Sequence, residues 1–296
     1  MVFEKVACIV NYCTQDYRYL DLCLFELKKL FPTIIVPVCD HFYNGEPENR
    51  DLLSKGYQDH PDIQFIEFAF GERLYGLSPL LYDESKTIHY WHSTARYVGY
   101  HYLPNSIEWV LFLDIDEIID LERFTKWFKS GEYNKYDALR FDSYFYFREP
   151  TQRAKTYTQN ALMLRKSKCH ADLLLVVAER MGTFDRILGE RIEHVRGLDD
   201  APLFHHYSWV RSHEELFHKV KCWGHHSEKD WTALLKQELD QGSRERDLLY
   251  NLEYEKCEMY HNPLKVDITY KGLGKSEFKN VVKVNHRSIL ERHFQI

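Results

Sequence analysis

Apolar residues fall in short unbroken runs separated by stretches with helical spacing, and this alternation continues through the first 117 positions. Val6–Val10 has the pattern of a buried strand and ends in Asn11-Tyr12, after which Leu20, Leu24, Leu27 and Phe31 recur on one helical face. Thr33–Cys39 is β-branched and apolar up to Asp40, and Ile63–Phe70 reads as a third strand. Residues 41–62, with Asn44-Gly45, Pro47 and Gly56, read as loop with room for one short helix, and Gly71–Asp83 reads as another loop. Ile88, Trp91, Ala95, Val98 and Tyr102 keep helical spacing over Thr87–Leu103, and Pro104-Asn105 stops that element. Trp109–Leu113 is then apolar without a break. Strand and helix in alternation predict an α/β fold: a mostly parallel central sheet flanked by helices, with ligands at the carboxyl ends of strands.

Beyond Asp120 the pattern changes. Leu121–Lys129 reads as a short amphipathic helix. Asp137–Arg148 alternates as a strand, with Leu139, Phe141, Phe145 and Phe147 on one face and Arg140, Asp142, Tyr144, Tyr146 and Arg148 on a wet one. Leu173–Ala178 and Pro202–Val210 read as further strands. Ser212-x-x-Glu215 has the form of a capping box opening a helix that carries Leu216, Phe217, Val220 and Trp223, and a second helix is expected over about 229–256. The simplest organisation is a catalytic domain over 1–210 with a helical C-terminal extension over 211–296 packed on it. From Lys271 onward six Lys or Arg stand against two Glu. That segment reads as a solvated tail, or as a basic flap contacting an anionic acceptor or the surface of a membrane.

Composition narrows the function. The chain has 296 residues, is 44% hydrophobic and carries a net charge of −6, enough apolar content for a sizeable core and the wrong sign for a general nucleic-acid binder. Seven cysteines without a Cys-x-x-Cys pair suit a reduced setting. No apolar stretch reaches the roughly 18–20 residues that span a bilayer, and Met-Val-Phe-Glu-Lys lacks a signal-peptide pattern. The expectation is a cytoplasmic protein whose membrane contact, if any, is peripheral. Tyr, Phe and Trp number 21, 18 and 6, and such rings suit either half-buried packing or the faces of sugars.

The candidate chemistry centres on Asp114-Ile115-Asp116, which follows the apolar run directly. An extended chain puts residues i and i+2 on one side, so both carboxylates aim at one point while Ile115 turns inward. Mg²⁺ and Mn²⁺ are commonly held by one or two carboxylates plus substrate phosphates; the plainer alternative is an acidic turn after a core strand. Cys222-x-x-His225-His226 has no second ligand pair and is read as structural or surface chemistry.

An N-terminal strand and helix, an acid after the second strand, Ala95-Arg96-Tyr97 on a helix, then Leu111-Phe112-Leu113-Asp114-Ile115-Asp116: this order resembles the nucleotide-sugar glycosyltransferases of the GT-A (Rossmann-like) fold, family 2 most of all. The resemblance covers roughly residues 5–120. It implies a UDP- or GDP-linked sugar donor, Mn²⁺ or Mg²⁺, Asp40 near the nucleoside and Arg96 near the base or diphosphate. It further implies Asp114 on ribose or metal, Asp116 on metal, and a histidine of the C-terminal half completing the metal site. His205 and His206 face opposite ways in an extended segment, and His206 is favoured. The acceptor is a hydroxyl of a carbohydrate, a lipid-linked sugar or a protein. An inverting transferase also needs a carboxylate to take the acceptor's proton, for which Asp185 and Glu179 lead over Asp199 and Asp200. Tyr97 replaces the family's usual Asn, and Asp40-His41-Phe42 replaces its frequent pair of acids. Two rivals stand beside this reading. One is a haloacid dehalogenase-like phosphatase with Asp114 as nucleophile and Asp199-Asp200 as a metal pair; the other is an inactive sugar-binding module of the same fold.

Overall fold

The computed structural model describes residues 3–71, 89–175, 179–226, 228–241, 245–266 and 278–289. In chain order its main elements are β1 (Val6–Asn11), α1 (Tyr17–Lys28), β2 (Thr33–Cys39), α2 (Arg50–Asp59), β3 (Gln64–Phe68), α3 (Tyr90–His101), β4 (Trp109–Asp114), β5 (Glu117–Ile119), α4 (Leu121–Lys129) and β6 (Ala138–Phe147). They continue with β7 (Gln152–Ala154), β8 (Thr158–Arg165), α5 (Ala171–Leu174), α6 (Arg180–Asp185), β9 (Arg191–Val195), β10 (Phe204–Trp209), α7 (His213–Cys222), α8 (Trp231–Asp240), β11 (Tyr254–Lys256) and β12 (Val281–Val284).

The strands form one sheet in the order β11-β7-β6-β8-β4-β1-β2-β3-β12, with β10 beside β5 and β6, and β9 beside β6. The block β4-β1-β2-β3-β12 is parallel throughout. Antiparallel β8 lies against β4, β6 runs antiparallel to β8, and β10 is parallel to β6. The carboxyl ends of β1, β4, β6 and β10 and the amino end of β8 therefore meet at one edge. This is the α/β architecture with a largely parallel sheet and flanking helices that the alternation of runs predicts.

β4 explains the unbroken apolar run. Trp109, Leu111 and Leu113 enter the core under α1 and α4, while Val110 and Phe112 enter the one under α3. A strand covered on both faces has no polar side. Glycine at position 99 lets α3 lie close to β1, since a Cβ there would meet Ile9 Cγ2 at 2.7 Å. A third apolar cluster, with Phe145, Phe147, Trp209, Trp223, Trp231 and Leu235, joins α7 and α8 to the ends of β6 and β10.

Several expectations need correction. The wet face of the 137–148 strand is absent: Asp142 is fully buried, and Tyr144 and Tyr146 pack in the same core as Leu139 and Phe141. A register shift in the pairing with β8 between Arg140 and Asp142 reverses which side alternate residues face, so Phe145 and Phe147 turn to the other cluster. Residues 171–174 are a helical turn whose first amides are capped by His170, whereas 173–178 was expected as strand; residues 176–178 lie outside the described set. The second C-terminal helix stops at Asp240, well short of 256, and further on Asp247 accepts from the amides of Leu249, Tyr250 and Leu252 and folds that stretch into a turn. Residues 281–284 are no solvated tail: they extend the sheet beside β3, pairing Val281 with Phe65. The Gly71–Asp83 expectation lies almost wholly outside the described residues.

The capping box at the start of α7 forms as its residue types require: Ser212 accepts from the Glu215 amide and Glu215 accepts from the Ser212 amide. Glu215 also takes a hydrogen bond of 2.8 Å from the buried Arg18 Nε. In chemical denaturation Ser212→Ala is expected to cost about 1 kcal/mol. Glu215→Ala, which strands the Arg18 guanidinium, should cost roughly 3 kcal/mol.

Candidate functional site

A cavity of about 490 Å³ opens at the sheet edge where β1, β4, β6 and β10 end, a size that suits a small organic ligand. Asn11 and Asp114 are register partners at the ends of β1 and β4, and both line it. Asp116, His206, Arg96, Glu179, Arg180 and Lys219 line it as well.

Arg180, at the start of α6, organises the floor. Its guanidinium grips fully buried Glu117 through both nitrogens at 2.6 and 2.5 Å and reaches Asp114 Oδ2 at 3.0 Å. Glu117 Oε2 in turn accepts from the Asp114 amide at 3.0 Å. The link between β4 and β5 is thus pinned from its carboxylates and its backbone together. Asp114 Oδ1 is buried and unpartnered. Ile115 turns into the core, and the two acids share the cavity wall.

Asp116 sits in a different environment. His206 Nε2 lies 3.6 Å from Oδ1, and Arg211 Nη2 and Lys219 Nζ lie 3.5 and 3.7 Å from Oδ2. Burial pushes this carboxyl up, but His206, Lys219 and Arg211 together overcome it and hold it well below the usual carboxylate range. Burial, with Arg211 adding to it, lowers the Lys219 ammonium in return. His205 faces the opposite way: its Nδ1 meets the Tyr146 hydroxyl at 2.7 Å and its ring stacks on Tyr260.

Arg96 reaches the cavity from α3. It is buried, and its Nε and Nη1 have no partner. Burial and then the neighbouring Arg180 lower its pKa, against Asp114 and Glu179. Both side-chain atoms of Asn11 are also buried without a partner. A polar group left open inside a fold costs stability unless something bonds to it, and Arg96 and Asn11 present such groups in the cavity wall.

Glu179 stands at the mouth just before α6. Its Oε1 meets His225 Nε2 at 2.6 Å, and His225 Nδ1 meets Glu228 Oε1 at 2.6 Å. The His225 hydrogen bond holds Glu179 far below the usual range although burial opposes it. Among the described residues His89, His225 and Glu228 bring one donor atom each within 4.8 Å of one another, a set that can coordinate a metal ion.

Four anticipated residues are elsewhere. Asp40 accepts from the Phe70 amide at 2.6 Å and from His41 at 2.7 Å, closing the ends of β2 and β3, and does not line the cavity. Asp185 is exposed at the far end of α6, which carries that side chain away from the site. Asp199 and Asp200 pair with Arg123 and Arg196 outside the cavity. The residues that sequence reading missed are Arg180, Arg211 and Lys219, whose signal is only that of ordinary charged positions on helices and loops.

No protein-family model matches the sequence, and no curated protein matches it either. Three solved structures are similar in outline. One is a glycosyltransferase involved in glycosylation of the major capsid of PBCV-1, 14% identical, covering 71% of this chain and 98% of that one with a TM-score of 0.35. Another is the 4-diphosphocytidyl-2C-methyl-D-erythritol synthase of Anaerococcus prevotii, at 9% identity, 67% and 94% coverage and a TM-score of 0.37. The third is the inositol-1-phosphate CTP transferase of T. maritima, at 11% identity, 74% and 96% coverage and a TM-score of 0.38. At such scores these likenesses carry no argument about activity. Among the described residues no helix is long and apolar enough to cross a membrane.

Arg180→Met leaves fully buried Glu117 without its cation and is expected to cost about 3–5 kcal/mol in chemical denaturation. A second outcome concerns Glu48, which accepts from the Thr14 amide at 3.0 Å and anchors the loop that forms one cavity wall. Burial pushes its carboxyl up to about 8. A carboxyl raised above its unfolded value of about 4.3 binds extra proton in the fold, so its stabilisation is full below that value and disappears as pH climbs. Melting temperature should therefore fall from mildly acidic pH toward about 8, and Glu48→Gln should flatten that decline.

Proposed function

We propose that the chain is a metal-dependent glycosyltransferase that moves a sugar from a UDP- or GDP-linked donor to a hydroxyl acceptor with inversion. The observation that carries this reading is Arg96, a buried guanidinium with two unpartnered nitrogen positions in the cavity that also holds the Asp-x-Asp acids. Charge-assisted, bidentate bonds to a diphosphate offset the cost of burying such a group.

The donors around the acids fit a hard divalent ion. Asp116 Oδ1 and His206 Nε2 are 3.6 Å apart, near the roughly 3 Å between neighbouring ligands of an ion with bonds of about 2.1 Å. Asp114 Oδ1 is open. Asn160 Nδ2 lies 2.5 Å from His206 Nδ1, and a flip of that amide presents its oxygen instead and frees Nε2 to ligate. When bound, Mn²⁺ or Mg²⁺ supplies Lewis-acid stabilisation to the departing diphosphate.

The chain's own groups do the rest. Arg96 holds the phosphates, and Arg180 fixes the Asp114 carboxylate beside them. The Asn11 amide offers a donor and an acceptor to the donor's polar edge. Glu179, kept ionised by His225, takes the acceptor's proton as the new bond forms, while Trp223 and Tyr250 provide flat surfaces for an acceptor sugar. Glu179 is preferred to Asp185 because it faces the cavity. The phosphatase alternative is disfavoured, since Asp199 and Asp200 are bound to arginines away from Asp114.

Thermal denaturation with UDP or GDP should show a rise in melting temperature that is larger with Mn²⁺ than with chelator. Arg96→Ala should weaken nucleotide affinity tenfold or more. Asp116→Asn should abolish the metal-dependent part; Asn is the cleaner choice because Ala would bare Arg211 and Lys219. A chain indifferent to every nucleoside diphosphate would sink the proposal, and carbohydrate binding without donor turnover would favour the inactive module.

A further inference from the structure

The mouth of the cavity gathers two histidines and two glutamates from three separate segments. His89 leads into α3, Glu179 precedes α6, and His225 and Glu228 follow α7. The ion pairs of Glu179 and Glu228 both go to the single ring of His225. Asp114 and Asp116 differ, each already facing an arginine or a lysine. Two carboxylates thus converge on the His225 imidazole, and the His89 ring stands beside it at 5.1 Å between ring centroids.

The backbone is shaped for this convergence. A Cβ on residue 224 would meet His92 Nε2 at 3.0 Å, so glycine there allows the chain before His225 to approach α3 closely. The His225 carbonyl accepts from Trp231 Nε1 at 2.7 Å, and its ring stands edge-on to Trp223. These contacts hold the residue in place independently of its ring nitrogens.

We propose that His89, His225 and Glu228 bind one divalent ion of the zinc class at the cavity mouth, separate from the Asp114–Asp116 site. Two imidazole nitrogens and a carboxylate oxygen are a donor set that zinc accepts, and three protein ligands leave a further position for water or a substrate group. Donor atoms within 4.8 Å need to close to roughly 3.4 Å around a tetrahedral ion with bonds near 2.0–2.1 Å, a change within the reach of side-chain rotation. The ion would tie the start of α3 to the segment after α7 and set the position of Glu179 beside it. This site is independent of the donor-binding reading and needs no nucleotide.

Cobalt titration of the chelator-treated full chain, followed by its visible absorption, tests it. One equivalent should bind with a tetrahedral spectrum in the absence of nucleotide, and Zn²⁺ should compete it away. Affinity should drop tenfold or more in His225→Ala and in Glu228→Gln, and should persist in Asp116→Asn. Glu228 is exposed, so its substitution reports on the site even if His225→Ala folds poorly. A wild-type chain that binds no cobalt, binding unchanged by both substitutions, or binding lost in Asp116→Asn alone would each overturn the proposal. The nucleotide experiment can fail without affecting any of these outcomes.

Discussion

The geometry of the site depends on one buried ion pair, Arg180 with Glu117. Taking both charges out of water is expensive, and in energy alone an apolar pair of similar volume would serve as well. An apolar pair, however, has no way to hold the Asp114 amide and the Asp114 carboxylate at the same time. Glu117 accepts from that amide and Arg180 donates to that carboxylate, so the link between β4 and β5 is held at its backbone and its side chain together. The direction of Asp114, and through the short turn that of Asp116, follows from this pair.

Charge balance in the cavity follows the same logic. Among the described residues Asp16, Asp114, Asp116 and Glu179 line it together with Arg96, Arg140, Arg180 and Lys219, four acids against four bases. Most of these already have partners: Asp16 pairs with Arg211 behind the wall, Asp116 with His206 and its cationic neighbours, and Asp114 with Arg180. Arg96 is the exception. A nearly neutral cavity with one open cation and one open carboxylate oxygen is suited to a ligand whose own charges nearly cancel. A diphosphate with its divalent ion is such a ligand, and a bare polyanion is a poorer match.

Much of the sheet was legible because burial leaves an unambiguous trace. Trp109–Leu113 is apolar at every position since it faces a core on both sides, and its end at Asp114 marks the sheet edge. The capping box at Ser212 was legible because its two residue types are demanded by unpaired amides. The face of β6 was misread because a register shift leaves no mark in composition and yet reverses everything after it. Val281-Val282-Lys283-Val284 did carry a β-branched signal, which the basic residues around it obscured. Arg180, Arg211 and Lys219 could not be singled out, since a basic residue becomes part of a site only when the fold brings a carboxylate to it. Glu179 and Asp185 show the same limit: six residues apart in sequence, they are separated by a helix that carries one to the cavity and the other to solvent.

The partition of the chain at residue 210 also looks different once the cavity is drawn. Lys219, Trp223, His225, Tyr250 and Leu252 come from beyond that point and form the wall opposite Asn11 and Asp114. Their supporting cluster is continuous with Phe145, Phe147 and Trp209 of the sheet, so removing it would expose the apolar ends of β6 and β10. Lys219 gives the sharpest instance: a buried ammonium at the middle of α7 is tolerable because Asp116 and Asp16 lie near it, and Asp116 is held down partly by that ammonium. Asp116 is thus held down by His206 from one side of residue 210 and by Arg211 and Lys219 from the other. The C-terminal segment thereby supplies one wall of the cavity, and its Lys219 shares a charge cluster with Asp116 and Asp16 of the sheet side.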